Sequence, residues 1–139
     1  MSADTGSSVT ISGDIAISDI TTHSLGQSAF QVRNSDNFTI ANNVSFTQLN
    51  SGILDVGVTK MYIDSVNFEG SQGQILSAES SELSLTNVVM KDQDGGDVSG
   101  TGVKCSMCDS VTILDSEFSG LSSGQTGGAL FLYADTIII

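Results

Sequence analysis

The sequence predicts an all-β chain wound as a parallel β-helix, a solenoid of about five rungs with three short strands in each. Three observations carry that expectation. Apolar residues recur at i and i+2 in short runs, the mark of a strand with one buried face. The runs themselves recur: Val9/Ile11, Phe38/Ile40, Met61/Ile63, Leu83/Leu85, Val111/Ile113 and Ile137/Ile139, whose second members lie 29, 23, 22, 28 and 26 residues apart. Self-similarity at that period is the signature of stacked repeats. Composition agrees. With 15 Gly, no Pro and many Ser, Thr, Asn and Asp, the chain has the residues of tight corners, and no stretch keeps a 3.6-residue period over three turns.

Taken in order, each rung opens on this first rail. The residue between its two inward positions is Thr10, Thr39, Tyr62, Ser84, Thr112 and finally Ile138, so one face points to solvent. A second rail follows a few residues later: Ile15/Ile17, Val44/Phe46, Val66/Phe68, Val88/Met90 and Ser116/Phe118. A third completes the rung: Phe30/Val32, Leu54/Val56, Leu76/Ala78, Val103/Cys105 and Leu130/Leu132. Each strand then pairs with its counterpart one rung along, about 4.8 Å away, and like stacks on like inside, as Phe46 on Phe68.

The corner between rails one and two is chemically uniform. Asp14, Asn43, Ser65, Asn87 and Asp115 precede the second strand in successive rungs. Asn and Asp tolerate the left-handed backbone and bond nearby backbone groups, so a stacked polar ladder is expected there. Length variation falls elsewhere: from rail two to rail three the counts are 15, 10, 10, 15 and 14 residues. The long segments, Ser18 to Ala29, Lys91 to Gly102 and Ser119 to Ala129, are expected to emerge along one edge, where repeat proteins commonly place binding loops.

The 139 residues suffice for a single β-helix domain spanning residues 1–139. Hydrophobic residues make up 39%, far more than a disordered chain of this charge carries. The net charge of −12, with only four Lys and Arg, argues against nucleic acid and against an anionic membrane surface. Nor does any apolar run approach a membrane span, and the start does not read as a signal peptide. Because both ends fall in or next to strands, the expectation is a segment of a longer solenoid, or ends covered by other copies.

Residues that could carry chemistry are sparse. Glycoside hydrolysis needs two carboxylates roughly 5 to 10 Å apart, and the outward rail positions put no two acids on adjacent rungs. Arg33 is the sole arginine and His23 the sole histidine; His23 with Ser24 and Asp19 is local proximity, not triad geometry. The sharpest metal candidate is Asp92-Gln93-Asp94-Gly95-Gly96-Asp97, where Asp92, Asp94 and Asp97 resemble the first half of a calcium loop without its later bidentate acid. Calcium is therefore the one cofactor to consider. Cys105 and Cys108 form a single CxxC: too few ligands for structural zinc, no helix for thioredoxin chemistry, and hence either a local disulfide or one buried and one corner cysteine. Asn37 and Asn43 head glycosylation sequons, Asn37 being the better acceptor since Asn43 belongs to the corner ladder.

The rail pattern resembles the right-handed parallel β-helix of the pectin-lyase-like superfamily over the whole chain. More narrowly, Phe118-Ser119-Gly120 followed by Gly127-Gly128-Ala129-Leu130 resembles repeats of polymorphic outer-membrane proteins and large protist surface proteins, which carry GGA plus an FxxN element; here GGA occurs once and FxxN does not. The resemblance implies a non-catalytic stalk or adhesive segment at the cell surface or outside the cell, meeting a protein or glycan. Two other classes stand beside it: a carbohydrate-active β-helix with its acids in loops, and a subunit that stacks end to end into filaments.

Overall fold

Sharp turning at fixed points is what closes a rung, and the backbone shows where. The computed structural model describes residues 7–18, 28–49, 52–95 and 100–139. Their strands are β1 (Ser8–Ser12), β2 (Ile15–Ser18), β3 (Ser28–Thr47), β4 (Gly52–Glu69), β5 (Leu76–Lys91), β6 (Val103–Leu114), β7 (Glu117–Ser119) and β8 (Leu130–Ile138). All pairing is parallel, in the order β1-β3-β4-β5-β6-β8, with β2 beside β3 and β7 beside β5. The result is a parallel β-solenoid of about 4 turns, close to the rung count expected.

The register reproduces the rails. Phe38 pairs with Met61, Met61 with Leu83, Leu83 with Val111 and Val111 with Ile137 along rail one. Phe30, Leu54, Leu76, Val103 and Leu130 align in the same way on rail three. On rail two Phe46, wholly buried, stacks on Phe68 at 5.0 Å between ring centroids and 7° between planes, and meets Phe30 edge-on at 5.7 Å. Aligned apolar columns of this kind lock register, since a one-residue slip would send every inward side chain outward.

The strands are longer than expected. Rather than three short strands per rung, β3 runs 20 residues and β4 runs 18, carrying three rails in one continuous ladder. The reason lies in the corners. Left-handed residues turn the chain there: Asn43 (φ 63°), Ser65 (58°), Asn87 (51°) and Asp115 (49°) form the predicted column, and at Asn43 the preceding Asn42 (66°) is left-handed too, an extra residue that shifts the register between Ala41 and Val44. In the first rung the left-handed residue is Gly13, and Asp14 instead accepts a 3.1 Å hydrogen bond from Asn43 Nδ2. The polar ladder recurs where Asn87 Nδ2 donates to Asp64 Oδ1 at 3.3 Å.

The segment joining rails two and three is also stacked, which the rails alone did not reveal. Its entry is a second left-handed column, Gln48, Gly70, Asp92 and Gly120. Isolated parallel bridges link Gln72 to Asp94 and Asp94 to Ser122. The inward positions here include polar residues with internal partners: Gln93 accepts from the Ser71 amide at 3.0 Å and donates to the Lys91 carbonyl at 2.6 Å, while Ser71 Oγ accepts from the Leu49 amide at 3.1 Å. Each thereby satisfies buried backbone that no ladder reaches. The exit is a third left-handed column, Gly73, Gly100 and Gly127. At Gly127 a Cβ would fall upon the Leu130 carbonyl oxygen, so the first glycine of the GGA element answers to backbone geometry.

Candidate functional site

A shallow, open concave surface lies at the corner joining rail three to rail one. Its origin is a difference in residue count. From the last inward residue of rail three to the first of rail one the chain takes five steps in the middle rungs (Val56 to Met61, Ala78 to Leu83) but six in the flanking ones (Val32 to Phe38, Cys105 to Val111). The extra residues are Asn34 (φ 56°) and Met107 (φ 67°), both left-handed and both at register shifts of the ladder. Two bulged rungs therefore flank two flush ones, leaving a notch of about 480 Å³ whose walls include Asn34 and Met107 and whose floor includes Gly57, Val58 and Ser80.

The notch is polar and carries both signs of charge. Arg33 reaches along the axis towards Glu79, two rungs away, with Nη1 and Oε2 3.9 Å apart. Gly57 makes that crossing feasible, because a Cβ there would fall 3.1 Å from Arg33 Cδ and closer still to Nη1. Asp36 adds a second carboxylate to the lining. Beneath, Ser80 is buried and its hydroxyl has no hydrogen-bond partner, whereas Ser35, two rungs before it, donates to the Ser7 carbonyl at 2.6 Å. Met107 is 70% exposed and supplies an apolar thioether wall. Such a surface can meet a partner through hydrogen bonds, a paired charge and one apolar edge.

Beside the notch runs the outward row of rail one. Thr39, Tyr62, Ser84 and Thr112 stand in register, flanked by Lys60 and Glu82 at 3.3 Å. The Tyr62 hydroxyl donates to Glu82 Oε1 at 3.1 Å. Glu82 holds the Lys60 ammonium above its ordinary pKa of 10.5, first by hydrogen bonding and then by charge, with Tyr62 adding to it.

The other sequence-derived candidates fall elsewhere. Asp92 occupies the left-handed column at the rail-two corner, where its amide donates to the Ser119 carbonyl at 3.1 Å. Asp94 sits in the bridge between Gln72 and Ser122 and accepts from Ser122 Oγ at 3.2 Å. Both point outward on either side of buried Gln93, so their alternation with Gln93 has a structural cause independent of any metal. Asp97 lies outside the described residues, and among the described residues no group of three or more His, Cys, Asp or Glu converges. His23 and Asp19 also lie outside them. Cys105 and Cys108 are joined as a disulfide with Cα atoms 6.1 Å apart, and both face inward. Asn37 is half-buried in β3, between Ser8 and Lys60, with Nδ2 3.4 Å from Ser8 Oγ. Asn43 is exposed at its corner.

Of the three long segments expected to form a binding edge, the first and second include residues outside the description, and the third begins inside the stack. Its Ser122 amide bonds the Gln93 carbonyl, and its Gly128 carbonyl accepts from Thr101. The notch was missed because it arises from missing residues, not from a motif. The signal was nonetheless present, in the five-against-six spacing. No family model, curated protein or solved structure matches the chain.

Proposed function

We propose that the chain is a non-catalytic structural or adhesive β-helical segment of a surface or extracellular protein, with the notch and the adjoining rail-one row as its contact surface for a protein or glycan. The observation that carries this reading is the parallel pairing of every rung with the next, shifted in register only at corners, which fixes outward side chains in rows about 4.8 Å apart from rung to rung. A ladder so continuous makes a stiff support on which contact groups keep their spacing. The Cys105–Cys108 disulfide supports an oxidising compartment. The likeness to pectin-lyase-like helices and outer-membrane repeats belongs to this same reading and rests on the rail pattern and the GGA element.

The test is attachment. Beads coated with the chain are exposed to arrays of oligosaccharides and matrix proteins, beside beads carrying Glu79→Lys, which puts a like charge against Arg33 in the notch. Retention of the native beads, reduced for the variant, is the expected result. No retention on any surface, together with cleavage of a polysaccharide by the soluble chain, would transfer the protein to the carbohydrate-active class.

A further inference from the structure

Nine non-glycine residues among those described have a positive φ, and eight of them are Asn, Asp, Ser or Gln. The ninth is Met107. Its unbranched apolar side chain has no local hydrogen bond with which to offset the left-handed conformation, which L-residues otherwise avoid. The equivalent bulge three rungs earlier uses Asn34, a residue suited to the task. What differs around Met107 is a covalent bracket, because Cys105 and Cys108 enclose it and are bonded to one another. A residue in a sparsely populated conformation persists only where its surroundings over-determine it.

We infer that the Cys105–Cys108 disulfide is the clamp that holds Met107 out as the wall of the notch, so that the shape of the notch depends on redox state. The reaction is exchange with a dithiol. A thiolate of the reductant attacks Sγ of Cys108, the less buried of the two residues at 4% exposure against 0% for Cys105, and Cys105 leaves as a thiolate that takes up a proton. The second thiol of the reductant displaces Cys108, which is likewise protonated. The protein gains two electrons and two protons, and the reductant becomes a disulfide. With the bracket open, only the ladder on either side still constrains the bulge, Met107 relaxes towards an ordinary backbone conformation, and the wall withdraws. The inference does not depend on what the notch meets.

The test uses the full chain labelled with 15N and with 13C at the methionine methyls, before and after dithiothreitol, the redox state being read by mass after alkylation. Reduction is expected to shift the Met107 methyl and the amides of Gly57, Ser80 and Ser81 that line the notch, leaving those of the Ser65 and Asn87 corner in place. Amide exchange over residues 107–109 is expected to rise about 5- to 30-fold, the population equivalent of releasing one left-handed residue. The double variant Cys105→Ala, Cys108→Ala should reproduce the reduced pattern. It should fold, because Ala78 and Ala134 already stand in the same two columns. Adding Met107→Asn should restore the oxidised pattern, since Asn holds such a bulge unaided in rung two. Thiols that alkylate without reductant, notch signals unmoved by reduction, or no rescue by Met107→Asn would each overturn the inference.

Discussion

Phe46 is the sharpest probe of how the interior is held together. It is wholly buried, with Phe68 stacked on one face and Phe30 set edge-on. Replacing it with Ala removes a large buried side chain and leaves a cavity between two rungs whose backbone spacing is fixed by the ladder, so little collapse is available. Deletions of this kind cost about 3–5 kcal/mol, and the upper half of that range applies where the site cannot close. The two ring contacts supply about 0.5–1.5 kcal/mol each within it. For a chain of 139 residues a urea m-value of about 2 kcal/mol/M converts a loss of about 4 kcal/mol into a midpoint lower by about 2 M. Phe118→Ala is the comparison, since that ring lies in the same column but in the three-residue β7 and is only half-buried. It should lose about 1 kcal/mol. Equal losses at the two sites, or a loss below about 1.5 kcal/mol at Phe46, would refute the argument that stacked interior columns carry the stability.

Three further outcomes follow from the corners and the surface. At Asn87 (φ 51°), Asn87→Ala should cost about 1–2 kcal/mol in urea unfolding while Asn87→Gly stays near neutral, because the left-handed backbone penalises a bare Cβ; equal effects would mean that the side-chain bond to Asp64 is all that matters. Ser80→Ala should leave stability unchanged or raise it by up to about 1 kcal/mol, since it deletes a buried hydroxyl with no partner, and a loss above about 1 kcal/mol would show that the hydroxyl is satisfied in solution. Lys60, whose pKa is raised by Glu82, contributes stability that is fully present below its ordinary pKa and lost as pH rises through the higher folded value. The melting-temperature difference between the native chain and Lys60→Met should accordingly stay constant from pH 6 to about pH 10 and shrink above it. A difference that vanishes near neutrality would contradict that assignment.

The rails were legible in the sequence because each inward column repeats one chemical character through the rungs, as Ile40, Ile63, Leu85 and Ile113 do, and a parallel stack turns that repetition directly into register. The polar corner was legible for a related reason: Asn43, Ser65, Asn87 and Asp115 are residues that a left-handed turn selects. Legibility ended where the interior ceases to be apolar. Ser71, Gln93 and Thr101 are buried yet polar, so a scan for hydrophobic alternation passed over the ladder they serve and read its segment as loop. Asp92 and Asp94 then looked like metal ligands, when their spacing also follows from standing on either side of inward Gln93. The notch escaped for a different reason, since concavity is a relation between rungs and no residue type announces it. Met107 gave no warning at all, because its conformation runs against its own preference.

The two bulges show how this architecture absorbs a change of length. At Asn34 and Met107 the chain gains a residue, yet the inward pairs on both sides, Val32 with Phe38 and Cys105 with Val111, keep their places in the columns. The surplus is expelled sideways and the pitch of the coil is untouched. The corner between rails three and one therefore behaves as an expansion joint, at which relief on the outer surface can be added or removed one residue at a time without retuning the interior. That makes it the natural place to splice in a foreign peptide. By the same logic, an insertion two residues away, inside any rail, would turn the core face outward.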